Sequence, residues 1–155
     1  MYVDNSLIVS GGISSTGAVT YQTPATTGST LSTNTIDLGT NRDLGEGYEL
    51  DLRVLVGTAF AGATSVEFQA ITADDAGLTT NVLLLATTGP IPVASLVAGA
   101  RFVSDINPRI GSKGQRYLGA RVVVVGTSTA GTCFIDFGIE VQDGQKFYPN
   151  GFALL

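Results

Sequence analysis

Cys133-Phe134-Ile135-Asp136-Phe137-Gly138-Ile139-Glu140-Val141 is the stretch that decides the fold. Cys133, Ile135, Phe137, Ile139 and Val141 alternate with Phe134, Asp136, Gly138 and Glu140. A period of two puts successive side chains on opposite faces of an extended chain, so this is a strand with one buried face. The same alternation runs through Tyr48, Leu50, Leu52, Val54 and Val56, interleaved with Glu49, Asp51, Arg53 and Leu55. It recurs where Val66, Phe68 and Ala70 alternate with Glu67, Gln69 and Ile71. The interleaved charges predict polar, solvated outer faces for these strands.

Outward from these three, Val82-Leu83-Leu84-Leu85-Ala86 and Val122-Val123-Val124-Val125 are continuous apolar runs. They read as strands covered on both faces, the second favoured by its β-branched residues. Arg116-Tyr117-Leu118 leads into it. Arg101-Phe102-Val103, Asn34 to Leu38 and Ser6 to Val9 are shorter candidates. The chain holds 20 glycines, which serve tight turns because Gly alone takes positive φ cheaply. Turn residues fall between the runs at sandwich spacing. The sum is an all-β chain, a jelly-roll-like antiparallel β-sandwich of about eight strands. Val93 to Ala98, between Pro92 and Gly99, reads as a turn or two of helix or a loop.

At 155 residues the chain suits a single domain, residues 1–155, large enough to bury a core without a disulfide or metal staple. Two segments stand apart. Ser10 to Thr33 is rich in Ser, Thr and Gly, with one alternating patch, Val19-Thr20-Tyr21; it reads as a long loop or flexible hairpin, residues 10–33, a flexible arm that orders on a partner. From Asp143 to Leu155 an extended tail carries three aromatics and ends in two leucines. Exposed apolar ends are adhesive. Tyr2 and Val3 at one end, and Phe147, Tyr148, Phe152 and Leu154 at the other, are therefore the expected contacts with other subunits or partner proteins.

Composition excludes several functions. Lys and Arg number 8 against 13 Asp and Glu, a net charge of −5, so the basic footprint needed for a phosphate backbone is missing. Arg109, Lys113 and Arg116 are spread over a Gly-containing segment and read as a solvated loop. No run approaches the roughly 18 apolar residues of a membrane helix, and Met1-Tyr2-Val3-Asp4-Asn5 lacks the basic start of a signal peptide. No nucleic-acid or membrane partner is expected.

Catalytic vocabulary is sparse. The chain has no histidine and one cysteine, which removes the commonest general base, the Ser-His and Cys-His dyads and a zinc cluster. Cys133 falls on the inward face and reads as a small buried hydrophobe. Asp136 and Glu140, four apart on a strand, lie about 13 Å from one another along it. That exceeds the roughly 5–9.5 Å of a glycosidase pair, and they read as solvated outer-face charges. Asp74-Asp75-Ala76-Gly77 reads as a turn and lacks the ligand series of an EF-hand. Neither Gly11-Gly12 nor Gly126 to Gly131 is followed by the Lys-Ser/Thr of a phosphate loop. The expectation is a protein that is not an enzyme, with no catalytic residues, no metal and no cofactor.

The chain resembles the capsid cement (decoration) proteins of Bordetella phage and related short-tailed phages. The likeness runs from Met1-Tyr2-Val3-Asp4 through Ser32 to Gly39, Arg42-Asp43-Leu44-Gly45, Phe68-Gln69, Thr72 to Asp75 and Leu83-Leu84. It continues through Ile91-Pro92 to Leu96, Gly99, Arg101-Phe102 and Arg116-Tyr117-Leu118. The departures are the Thr/Gly-rich insertion from about Gly11 to Ser32 and the tail after Val141. The resemblance implies a structural virion protein on the outer capsid surface, made in the host cytoplasm. It would bind an HK97-like major capsid protein and itself, as a dimer first and a trimer second, and cement capsomers against internal pressure. The alternative is a phage-associated receptor- or carbohydrate-binding β-sandwich module, set back by the absence of Trp.

Overall fold

Twelve strands run through the residues that the computed structural model describes, 4–39, 50–106 and 115–139. They are β1 (Ile8–Ser10), β2 (Gly12–Ile13), β3 (Val19–Thr20), β4 (Gly28–Leu31), β5 (Ile36–Asp37) and β6 (Leu50–Val56). Then follow β7 (Ala61–Ala73), β8 (Leu83–Thr87), β9 (Ile91–Pro92), β10 (Arg101–Asp105), β11 (Tyr117–Ala130) and β12 (Cys133–Ile139).

The two most strongly alternating stretches are neighbours. β12 pairs antiparallel with β6, Cys133 opposite Val56 and Phe137 opposite Leu52, so their apolar residues share one face. One sheet has the order β1-β12-β6-β10. The other has the order β4-β11-β7-β8, with β5 added to β11 and β9 to β7. Set aside the two-residue strands, and the remaining eight pair from the outside inwards: β1 with β12, β4 with β11, β6 with β10, β7 with β8. An antiparallel ribbon wound across two sheets in this way is a jelly roll.

The inward faces make one core. Leu52, Val54, Val56, Ile135 and Phe137 from the first sheet pack with Val66, Phe68, Ala70, Val122 and Val124 from the second. Phe68 lies at its centre. Its ring meets Phe60 edge-on (centroids 6.4 Å, 75° between planes) and stacks on Phe102 of β10 (6.4 Å, 20°). Each such side chain contributes about 1.5–3 kcal/mol by leaving water.

Several expectations need correcting. The 10–33 segment is built into the fold rather than left as an arm. It holds the β2–β3 hairpin and β4, which pairs with β11 from Leu31 opposite Arg121 to Gly28 opposite Val124. Gln22 exchanges backbone hydrogen bonds with Cys133 (2.8 and 2.9 Å), and its Nε2 donates to the Leu31 carbonyl (2.8 Å), tying the two sheets together. The valine run is not covered on both faces, since Val122 and Val124 are buried while Val125 is exposed. Leu83 and Leu84 are likewise exposed, because β8 is an edge strand and its register shifts opposite Ala70-Ile71. Between Pro92 and Gly99 there is a single 3-10 turn, Val93–Ser95, anchored by the fully buried Leu96.

The outer faces differ most from expectation. On the first sheet Asp51, Arg53, Phe134 and Asp136 are buried rather than solvated. Phe134 is reached by the start of the β2–β3 hairpin. A Cβ at Gly11 (φ +83°) would lie 3.1 Å from its ring and 2.3 Å from the Thr20 carbonyl oxygen, so only glycine lets the chain turn there. On the second sheet Leu78 folds over Ile71 and Ala73, with Leu31, Val82 and Tyr117 around them. Here too a glycine makes room: a Cβ at Gly119 would sit 2.4 Å from Leu78 Cδ1.

Candidate interaction surfaces

The reactive groups singled out in the sequence are engaged internally. Cys133 is fully buried, and burial pushes its thiol up to about 12. It is therefore a neutral thiol and a poor nucleophile at neutral pH. Asp136, 1% exposed, is held by the Arg53 guanidinium of the neighbouring strand. Burial raises its pKa, and the Arg53 hydrogen bond works against that rise. The guanidinium lies flat over Gly138, where any Cβ would collide with it. Glu140, the other half of the carboxylate pair, lies outside the described residues.

Asp74-Asp75-Ala76-Gly77 is a closed turn. Asp75 Oδ1 accepts from the Thr79 and Thr80 amides (2.9 and 2.5 Å), and its Oδ2 accepts from the Thr79 hydroxyl (3.0 Å). These donors, the Thr80 amide first, lower its pKa to about 2. Asp74 Oδ2 accepts from Asn81 Nδ2 (2.6 Å). The lone pairs that a cation would need are thus turned onto the loop itself. Arg116 forms a two-pronged pair with Asp37 (2.7 Å each) and lies 5.1 Å over the Tyr117 ring. Arg109 and Lys113 lie outside the described residues.

The outer face of the second sheet carries a polar row across three strands. Arg121 Nε donates to Gln69 Oε1 (2.7 Å), Gln69 Nε2 to Glu67 Oε1 (2.6 Å), and the Thr87 hydroxyl to the same oxygen (2.6 Å). The Gln69 and Thr87 donors hold the Glu67 pKa below its ordinary value.

Exposed apolar side chains are spread over the described surface: Leu83, Leu84 and Val125 lie on the second sheet, Val97 after the 3-10 turn, and others on the hairpin and the first sheet. Ile13 and Val19 project from the β2–β3 hairpin, and the Tyr21 ring beside it lies against Gly57, where a Cβ would be 2.5 Å from the ring. Val103 stands 59% exposed on β10, the outermost strand of the first sheet among the described residues. These are groups that a protein surface would cover. The sequence expectation had placed the contacts at Tyr2, Val3, Phe147, Tyr148, Phe152 and Leu154, all of which lie outside the described residues. It did not name the hairpin among the contacts, although the segment with its alternating patch Val19-Thr20-Tyr21 reads as a loop or flexible hairpin. Val103 was assigned to a strand, but its place on an edge depends on pairing order, which local sequence does not carry.

Fold and surface together define a jelly-roll β-sandwich that offers an apolar hairpin and a sheet edge as its candidate contacts. The chain belongs to the Bbp16 family, whose family model matches residues 20–136, and the family's name points to a Bordetella phage protein. No curated protein matches the chain.

Proposed function

We propose that the protein is a structural component of a phage virion, which binds the outer surface of an icosahedral head and cements neighbouring capsomers of an HK97-like major capsid protein. The observation that carries this reading is the pairing of a jelly roll of a phage family with apolar exposure on a hairpin and a strand edge. Cementing makes and breaks no covalent bond. It needs a rigid body and adhesive projections that touch two capsomers at once. A subunit that grips both must be lost before they part, so many weak contacts on a closed shell add up. The burial of the free Cys133 thiol and the buried Arg53–Asp136 pair suit a rigid body better than a reacting one. No cofactor enters this role.

The receptor- or carbohydrate-binding alternative has less support, because Tyr21 is the one exposed aromatic among the described residues. The test is a heating experiment on phage heads that lack the protein, with and without purified protein added back. Added protein should raise the temperature at which packaged DNA escapes. An unchanged release temperature at saturating protein refutes cementing.

A further inference from the structure

We propose that Arg121 anchors a docking face: its guanidinium, pinned on the outer face of the second sheet, is held for a carboxylate that a partner protein presents among apolar side chains. The proposal rests on the shell-binding reading and names a contact for it, the partner being the shell subunit.

Strand register builds the site. Leu31, Arg121, Gln69 and Thr87 stand opposite one another across β4, β11, β7 and β8. Residues directly opposite share a face, so these side chains form one row. Hydrogen bonds fix the row from its far end. The Gly89 amide donates to the Thr87 hydroxyl (2.9 Å), which donates to Glu67 Oε1 (2.6 Å). Gln69 Nε2 donates to the same oxygen (2.6 Å), and Gln69 Oε1 accepts from Arg121 Nε (2.7 Å). Gln69 is buried, with both ends of its amide engaged. The long arginine side chain is thus ordered before any partner arrives, which lowers the entropy lost on binding.

Anchoring through Nε leaves the two Nη groups, whose N–H donors match a planar carboxylate two at a time. Among the described residues these groups have no hydrogen bond and no ion pair. Arg53 is paired with Asp136 and Arg116 with Asp37, whereas the group bound to Arg121 is a neutral amide. Glu67 does not stand in for the missing anion. Its Oε1 is taken by Gln69 and Thr87, and the charge of Arg121 is the least of the influences that lower its pKa. Apolar side chains flank the row: Val125 and Leu84 are exposed, Val123 and Leu31 half-buried, and Leu78 packs over Ile71 beside them. One arginine among apolar groups is the composition of an interface core. With water excluded there, a charge pair gains strength. The nearby negative charge of Glu67 tolerates a single carboxylate on the fork but opposes a polyanion, which favours a protein over a nucleic acid.

The test measures binding of the labelled full chain to phage heads that lack it. Arg121→Gln should weaken binding by about thirtyfold or more, because a carboxylate buried in the contact loses its counter-charge. Arg121→Lys keeps the charge but not the fork, and should still lose about tenfold. Gln69→Met leaves Arg121 in place but unpinned, and should weaken binding by a smaller factor than Arg121→Gln. Arg116→Gln should bind as the native chain does, since that guanidinium is already paired with Asp37. Both Arg121 variants should melt within about 4 °C of the native chain, the effect of losing one hydrogen bond. A larger drop would mean that the guanidinium serves the fold, and overturns the proposal. So would DNA binding, or a dimer, that disappears with Arg121→Gln, since these assign the fork to phosphate or to a second copy. Heads that bind the native chain and Arg121→Gln equally refute this site and leave cementing intact. Heads that bind neither refute both.

Discussion

Replacing Phe68 by Ala tests whether the two sheets form one core as the alternation requires. Phe68 is fully buried on β7 and touches Phe60 and, across the sandwich, Phe102 of β10. Emptying such a site costs about 3–5 kcal/mol, from lost transfer energy and the cavity left behind. In a chain of 155 residues each kcal/mol moves Tm by about 2–4 °C. The variant should therefore melt roughly 6–20 °C lower by calorimetry. Its partner Phe102 should share part of the loss. A double-mutant cycle on Phe68 and Phe102 should show coupling of about 0.5–1.5 kcal/mol, the usual worth of an aromatic pair. Because Phe102 sits on β10, hydrogen exchange of the β10 amides should accelerate more than that of β4. A loss below about 1 kcal/mol, or no coupling with Phe102, would refute a shared core and with it the sandwich account.

Three other outcomes follow from the buried and engaged groups. Replacing both Arg53 and Asp136, as Arg53→Met with Asp136→Leu, should leave stability unchanged or raise it by about 1–4 kcal/mol, whereas Arg53→Met alone should be clearly destabilising. In that single variant burial of Asp136 is unopposed, so its pKa rises further and stability falls as pH increases through it, read by denaturant unfolding against pH. Asp75 behaves with the opposite sign: its pKa is lowered to about 2, so its support of the turn is full above the ordinary 3.8 and is lost as pH falls towards 2. Exchange of the Thr79 and Thr80 amides should quicken over that window, and Asp75→Ala should abolish the pH dependence. The Cys133 thiol, buried and raised to about 12, should react with a thiol reagent only at the rate of unfolding, and fast modification of the native protein would contradict its placement.

The parts of the fold that could be read from sequence were those where one face meets the core. β6, β7 and β12 alternate because their inner residues must leave water, and the period of two follows directly. What alternation cannot report is how much covers the other face. Asp51, Arg53 and Asp136 carry charges at every second position and so read as solvated, yet they are buried and Arg53 pairs with Asp136. β4 escaped notice for a different reason. Gly28, Ser29 and Thr30 have no apolar period, and their strand exists because β11 offers a backbone ladder. The faces of β8 were misread because a register shift, invisible in composition, turns Leu84 outward. The candidate contacts were legible only in part. The patch Val19-Thr20-Tyr21 allowed a flexible hairpin to be read, but its seat on the first sheet depends on Gly11 folding it back near Phe134. The position of Val103 on an edge is a property of strand order alone.

The proposed role of the protein as a shell-binding module is tested most directly by imaging phage heads saturated with the purified chain and locating the added density. The account predicts a jelly-roll-shaped body on the outside of the head, bridging adjacent capsomers. Heads that remain bare, or density that touches one capsomer alone, would contradict it.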